Sequence, residues 1–367
     1  MASSASAPAS GSSDLPHITV LGSLNMDLVS YVSHHPEPGE TMASNAFAIS
    51  PGGKGANQAV ACAKLSRSRS AGQDSKADNA TATAHVSMVG AVGNDANGAA
   101  LRANMSRQGV DVDGVQVLDH DGITSGVAII VVDEPTGQNR IILSPGANYA
   151  FAWHEGVAGG GLIPPQTQLL ILQLEIPLDL VLRALHEAKA LGIPVLLNPA
   201  PAPATEEARA KLEAAFAAGK DTKDKGIAHL VLNETESAAL VPGLTVSDLD
   251  TTEGLSRAAK YFLGLGVENI VMTLGGRGVY YATATTVAQS NGEVGELVPP
   301  EKVKQVVDTT GAGDTFAGQY ALEAVYASSQ GRAFDCEAAV RKSNRASAIT
   351  VQRKGAQDSI PWLDELE

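Results

Sequence analysis

The stretch Gln168-Leu169-Leu170-Ile171-Leu172-Gln173 opens an alternation that runs on to Asn269-Ile270-Val271-Met272-Thr273. A short apolar run bounded by polar residues reads as a strand buried on both faces. Residues 178–191 follow with apolar side chains at helical spacing. The predicted elements then continue as strand 195–198, helix 206–218, strand 229–232, helix 252–265 and strand 269–273. Strands alternating with helices of this length build βαβ units, and therefore a largely parallel sheet. Residues 278–283 read as an antiparallel return.

Working outward, the upstream half predicts strands at 17–21, 28–32 and 85–89, an extended stretch at 40–50, and helices at 56–65 and 96–108. Residues 124–133 and 140–144 read as paired strands around Pro135-Thr136-Gly137. Downstream, two Ala-rich helices are expected at 315–327 and 335–348. The expected fold class is α/β: a doubly wound, mostly parallel sheet flanked by helices.

The chain has 367 residues and a formal net charge of −14. That balance argues against nucleic acid as a partner, because phosphate backbones attract basic surfaces. No apolar stretch is long enough for a membrane helix, so no membrane partner is expected. The two cysteines, Cys62 and Cys336, make no disulfide framework and no zinc motif. They fit a reducing compartment, with a cytoplasmic location expected and a nuclear one left open. Residues 1–16 are rich in Ser, Ala and Pro and read as a disordered tail, not a signal peptide. Residues 66–83 are polar and read as a mobile loop insertion.

Two Gly-rich turns carry the chemistry. Asp308-Thr309-Thr310-Gly311-Ala312-Gly313-Asp314-Thr315-Phe316 leads from an apolar extended stretch into an Ala-rich helix. Glycines at a helix start let backbone N–H groups converge on one point, and the helix N-terminus adds partial positive charge. The result is an anion hole of Gly311, Ala312 and Gly313, suited to phosphate oxygens. Asp314 lies beside it and could accept a proton from a hydroxyl. The second turn, Gly52-Gly53-Lys54-Gly55-Ala56-Asn57, is not a Walker A loop, because Lys54 is followed by Gly55 and not by Ser or Thr. Asn25 and Asp27 follow the first strand, and Glu175 follows the strand at 168–173. Both places lie at the carboxyl edge, where open α/β sheets bind ligands. Amide and carboxylate side chains suit the paired hydroxyls of a polyol. Taken singly, each of these residues also reads as a turn or cap.

The order of these motifs resembles the ribokinase family of carbohydrate kinases, which also includes adenosine kinase and fructokinases. The resemblance rests on Gly22-Ser23-Leu24-Asn25-Met26-Asp27, residues 52–58, Gln173-Leu174-Glu175, Asn198-Pro199-Ala200-Pro201-Ala202, Asn233-Glu234-Thr235-Glu236, residues 273–278, residues 308–316 and Arg353-Lys354-Gly355-Ala356-Gln357. It spans residues 17–362 and is nearest to the ribokinase branch. It implies a small β-sheet lid, from about 28–50 and 124–143, that interlocks with a second lid in a homodimer. It also implies ATP-dependent phosphorylation of D-ribose on its 5-hydroxyl.

The resemblance further implies a role for each matching residue. Asn25, Asp27, Gly53, Lys54, Gly55, Ala56, Asn57, Glu175 and Asp314 would bind ribose, and Asp314 would be the base. Asn233, Thr273, Gly275, Gly278, Gly313 and Asn344 would line the nucleotide site. Mg2+ would arrive on the ATP phosphates. A potassium ion (K+) would sit among Asp308, Thr310, Thr350, Arg353, Gly355 and Ser359, mostly on backbone carbonyls. Three alternatives stay open. One is a kinase of deoxyribose or another sugar. The second is a nucleoside kinase, for which Tyr31 and Phe47 offer little of the apolar wall a base needs. The third is a non-catalytic sugar sensor. A dehydrogenase is excluded, because no Gly-x-Gly-x-x-Gly turn follows the first strand.

Overall fold

The computed structural model describes residues 15–70, 77–120, 122–136, 138–151, 161–218, 227–287 and 294–366. Among them the strands are β1 (His17–Leu21), β2 (Asn25–Val32), β3 (Ala46–Gly52), β4 (His85–Gly93), β5 (Val115–Leu118), β6 (Gly126–Asp133), β7 (Asn139–Ser144), β8 (Leu169–Leu172), β9 (Val195–Leu197), β10 (Ile227–Asn233), β11 (Asn269–Thr273), β12 (Val279–Thr283) and β13 (Glu296–Val298). The α-helices are α1 (Lys54–Leu65), α2 (Ala96–Arg107), α3 (Ala147–Ala150), α4 (Leu178–Leu191), α5 (Glu206–Ala217), α6 (Glu234–Leu240), α7 (Thr252–Gly264), α8 (Ala284–Val287), α9 (Ala312–Ser329) and α10 (Cys336–Thr350).

The main sheet runs β13-β12-β11-β10-β9-β8-β1-β4-β5. The seven strands from β11 to β5 pair in parallel, and β12 and β13 are antiparallel additions. Side chains of a strand alternate between its two faces. Accordingly Ile18, Val20, Leu169, Ile171, Val231 and Val271 pack on one face with α1, α2, α9 and α10. Leu21, Leu170, Leu172, Leu230, Leu232, Ile270 and Met272 pack on the other with α4, α5 and α7. Both faces are covered, which is why these strands read as apolar runs and not as alternating ones. From β1 the chain steps to β4 on one side and later to β8 on the other. The carboxyl ends of β1 and β8 therefore flank a topological switch point.

A second sheet, β3-β2-β6-β7, stands apart from the first. Strands β2 and β6 are parallel, and both outer pairs are antiparallel. Residues 22–24 are all that separate β1 from β2, so the second sheet rises directly from the carboxyl end of the first.

Some expectations need correction. The stretch at 40–50 becomes a strand only from Ala46. Helix α9 begins at Ala312 and not at 315, so Gly313 and Asp314 lie in its first turn. The apolar stretch before α9 is not in a ladder: Val306 and Val307 are exposed. The 66–83 segment is not loose at its ends. Arg67 is buried there and donates to the Asn79 side chain (2.7 Å) and to the carbonyls of Gly109 and Ala84 (both 2.9 Å). Its middle, 71–76, and tail residues 1–14 lie outside the described residues.

Candidate active site

Helices α1 and α9 cross at unusually short range. A Cβ placed on Gly318 would lie 2.5 Å from the Ala61 Cβ and 2.9 Å from the Cys62 amide nitrogen. Asp314 lies one turn before Gly318, and Asn57 and Gln58 lie one turn before Ala61 and Cys62. Residues four apart share a helix face, so the contact that needs Gly318 also brings these three polar side chains together. Asn57 Nδ2 donates to Asp314 Oδ2 and Gln58 Nε2 donates to Asp314 Oδ1, both at 3.0 Å. Asp314 is buried in the first turn of α9. Burial pushes its carboxyl above the ordinary range, although Lys54 and the two amide donors pull the other way.

Glu175, just past β8, is the second centre. One of its carboxylate oxygens accepts from Ser23 Oγ (2.6 Å), the Lys54 backbone N–H (3.0 Å) and Asn25 Nδ2 (3.3 Å). It thereby ties the β1–β2 connection to the start of α1. Asn25 Oδ1 in turn accepts from Asn148 Nδ2 at 2.8 Å. Asp27 is also buried. Burial, with the nearby charges of Glu175 and Asp314, pushes its carboxyl up to about 7. Burial alone would lower the Lys54 ammonium, but Asp314, Glu175, Glu236 and Asp27 outweigh it and raise it.

The glycines of the first turn are set by close approach. Gly53 has φ +88°, and a Cβ there would lie 2.6 Å from the Asn25 nitrogen. A Cβ on Gly55 would lie 2.6 Å from the Gly22 carbonyl carbon. Ala56 is buried, and its N–H donates to the Ser23 carbonyl (2.9 Å). The turn is thus pressed onto residues 22–25, beside Asp27 and Glu175. At the start of α9, Gly311 has φ +76° and backs onto Ala356. At Gly313 the reverse holds: a Cβ there would meet nothing within 4 Å. The chain's own packing therefore does not require glycine at 313, in the first turn of an 18-residue helix, whose Ala312 N–H donates to the Thr309 carbonyl (3.3 Å). A helix start of this kind, with glycine on either side of Ala312, suits phosphate oxygens.

The residues expected at a nucleotide lie further along the same edge. Asn233 ends β10 and caps α6, its side chain bonded to the Glu236 N–H and Oε1. Thr273 ends β11, and its hydroxyl faces the Leu232 carbonyl at 3.5 Å. Gly275 has φ +53° with open space around it. Gly278 has a packing reason of its own: at φ +97° a Cβ would lie 2.1 Å from the Val298 carbonyl oxygen. Asn344 donates to the Pro299 carbonyl (3.2 Å).

Around Asp308, one carboxylate oxygen accepts from the Thr310 N–H and the other from the Gly355 N–H, each at 2.9 Å. The side chains of three other expected cation ligands are engaged internally. Thr350 meets Thr315 at 3.0 Å, Ser359 donates to the Ala356 carbonyl at 2.7 Å, and Arg353 pairs with Glu365 at 2.8 Å. A cation there would meet backbone carbonyls and the spare lone pairs of Asp308, a hard oxygen set.

Sequence reasoning did not single out Gln58, Gln173, Asn148 or Gln357 as site residues. The visible signal for Gln58 was two adjacent amides, Asn57-Gln58, inside an otherwise small and apolar helix. Asn148 gave none.

The model of the family described as pfkB family carbohydrate kinase matches residues 15–363. The chain belongs to this family. Among its pfkB relatives, a ribokinase of Schizosaccharomyces pombe is 38% identical, with 96% of each chain covered. A deoxyribokinase of Salmonella typhi is 33% identical over 95% of this chain and 96% of its own. The solved structure of an Arabidopsis thaliana ribokinase, complexed with ribose and ATP, superposes with a TM-score of 0.73 at 28% identity. It covers 96% of this chain and 97% of its own.

Proposed function

We propose that this pfkB kinase transfers the γ-phosphoryl group of ATP to the 5-hydroxyl of D-ribose, giving ribose 5-phosphate and ADP. The observation that carries the reading is the placement of Asp314. It is a buried carboxylate in the first turn of α9, shared between two amide donors and within electrostatic reach of Lys54, Glu175 and Asp27. The similarity to proteins named ribokinase supports the sugar.

Asp27, Asn25, Lys54, Asn57 and Glu175 offer charged and amide groups to the sugar hydroxyls. Asp314 accepts the proton of the 5-hydroxyl as its oxygen bonds to the γ-phosphorus. The bond from that phosphorus to the bridging β-phosphate oxygen breaks, and ADP leaves. The N–H groups at 311–313 stabilise charge on the transferred group. Mg2+ would arrive on the ATP phosphates and supply compensating positive charge. Potassium would be held by Asp308 and the carbonyls of Thr310, Thr350, Arg353, Gly355 and Ser359. It would add positive charge behind the anion hole, where Gly311 backs onto Ala356.

The four-stranded sheet is read as a lid and as a dimer surface. Ile49, Leu28, Ile129 and Ile142 are direct cross-strand partners and form one row on one face. Ile49, Ile129 and Ile142 are 60%, 41% and 63% exposed. An apolar row of that kind suits burial against a second copy. Among the described residues no helix is long and apolar enough to cross a membrane. The free, buried thiols of Cys62 and Cys336 suit the cytoplasm.

The test is ADP release from MgATP with ribose, 2-deoxyribose, fructose or adenosine, each with potassium or sodium as the only monovalent cation. Fast ribose-dependent release favoured by potassium is expected. Release with deoxyribose alone would keep the Asp314 chemistry and overturn the sugar. No release with any acceptor would favour a sensor.

A further inference from the structure

Gln58 is fully buried, and its side-chain amide bonds to three polar side chains, one of them Asp314. Its Oε1 accepts from Gln173 Nε2 at 2.7 Å. Its Nε2 donates in two directions, to Asp314 Oδ1 at 3.0 Å and to Asn198 Oδ1 at 3.1 Å. An amide nitrogen carries two hydrogens, so both donors are spent. Asn198 is itself fixed, because its Nδ2 donates to the Val231 carbonyl at 2.9 Å and leaves only its oxygen to face Gln58. The orientation of the Gln58 amide follows from its neighbours. Reversed, its oxygen would face a carboxylate and a second carbonyl oxygen, and its NH2 would face another NH2.

The carboxylate is therefore gripped from two separately anchored sides. Asn57 holds Oδ2, and its own Oδ1 accepts from Gln357 Nε2 at 3.0 Å. Gln357 is braced in turn by Asn104 at 2.6 Å. Gln58 holds Oδ1 and is braced from β8 through Gln173 and from β9 through Asn198. The two grips differ in one respect. Asn57 is a candidate sugar contact, whereas the Gln58 amide has no hydrogen left for a substrate.

We propose that Gln58 is a positioning residue for phosphoryl transfer: it fixes the plane of the Asp314 carboxylate and stabilises its ionised form without touching the sugar. This rests on the reading of Asp314 as the base. A base must be both aimed and deprotonated when the hydroxyl arrives. Burial, with the charge of Glu175, drives Asp314 toward its neutral form, and Lys54 and the donors from Asn57 and Gln58 work against that drive, while Asp27 is a further carboxyl within electrostatic reach. Removing the donor should therefore raise the pH at which Asp314 becomes a competent base.

Gln58→Met removes the donor at similar volume, and Gln58→Glu keeps the shape while placing a second carboxyl against the first. With Gln58→Met the acid limb of the kcat/KM profile for ribose should move up by about 1–2 pH units, the range expected for one hydrogen bond to a charged group. Turnover at pH 7 should fall about 10–100-fold, while the KM for ribose changes less than about threefold. Gln58→Glu should move the limb further, because two carboxyls at hydrogen-bond distance hold one proton between them.

Carbon-13 titration of the Asp314 carboxyl, assigned by its loss in Asp314→Asn, reads the same shift without any substrate. It separates this proposal from the sugar assignment. If the wild-type chain does not turn over ribose, the functional reading falls and the titration still decides the role of Gln58. An unmoved Asp314 titration in a folded Gln58→Met protein would overturn the proposal. So would a loss confined to the KM for ribose. If Gln58→Met fails to fold, Gln58→Glu and Gln173→Leu, which removes the brace behind the amide, provide the same readout. An unmoved titration in both would equally overturn it.

Discussion

Gly318→Ala adds one methyl group at the crossing of α1 and α9, and the structure sets the size of the effect. The new Cβ would sit 2.5 Å from the Ala61 Cβ and 2.9 Å from the Cys62 nitrogen. Ordinary carbon–carbon contact is roughly 3.5–4.0 Å, so the helices must part by about 1 Å. Overpacking of this kind costs about 1–3 kcal/mol. The better helix propensity of alanine returns about 1 kcal/mol. The net loss of stability should be about 0–2 kcal/mol, small enough for the protein to stay folded at 25 °C. The functional loss should be larger. A 1 Å parting takes the 3.0 Å bonds from Asn57 and Gln58 to Asp314 beyond hydrogen-bond range. A displacement of that order at a catalytic group can cost about 100-fold in rate. Urea unfolding and steady-state ribose phosphorylation on the same preparation check both numbers. A variant as stable as wild type with unchanged kcat would refute the reasoning. It would show that the helix contact does not set the carboxylate's position.

Other outcomes follow from the same geometry. Asp314→Asn should lower kcat by about 10²–10⁴-fold, while ribose binding by calorimetry weakens far less. Asp27, held near 7, binds its proton more tightly in the folded chain than in the unfolded one. Its contribution to stability is therefore present at low pH and is lost as pH rises toward and through 7. Asp27→Asn should raise stability at pH 8 by about 2 kcal/mol relative to wild type and flatten that dependence in denaturation measured from pH 5 to 8. It should also weaken ribose binding, so a variant neither stabilised nor flattened would show that Asp27 is not held protonated. Ile142→Glu, at a side chain 63% exposed, should leave the melting temperature of the protomer nearly unchanged and shift the protein to monomer in light scattering. An undiminished dimer would move the interface elsewhere.

The sequence disclosed the main sheet where burial wrote it into composition. Strands β8, β10 and β11 are apolar on both faces and stand out as runs. The predicted helix at 178–191 coincides with α4, whose spacing of apolar residues is regular and which ends at Gly192 in the left-handed conformation. Edge strands escaped for the opposite reason. Val115–Leu118 is four residues and Glu296–Val298 is three, and each pairs on one side only, so neither carries a long pattern. The sequence pattern starts this helix at 315 and not at 312, because Ala312-Gly313-Asp314 reads as turn chemistry. Its helical form depends on Gly311 taking φ +76° against Ala356, a contact made across more than forty residues.

The site divides along the same line. Glycines and carboxylates announce themselves, since a Gly-rich turn before a helix and an acid beside it have few other uses in combination. The braces behind them do not. Gln58, Gln173 and Gln357 acquire their roles only through partners 115 to 300 positions away in the chain. An amide in a helix looks like any solvated residue until its burial is known. Burial is what changes its meaning. A buried amide that spends both its donors, as Gln58 does, is costly to misplace, and with Gln173 bonded to it and Gln357 bonded to Asn57, the two amides that hold the carboxylate are themselves held. The precision of the site thus lies partly in residues that have no hydrogen left for a substrate, Gln58 first among them. Conservative changes at Gln58 should therefore register in the pH dependence of turnover before they register in sugar affinity.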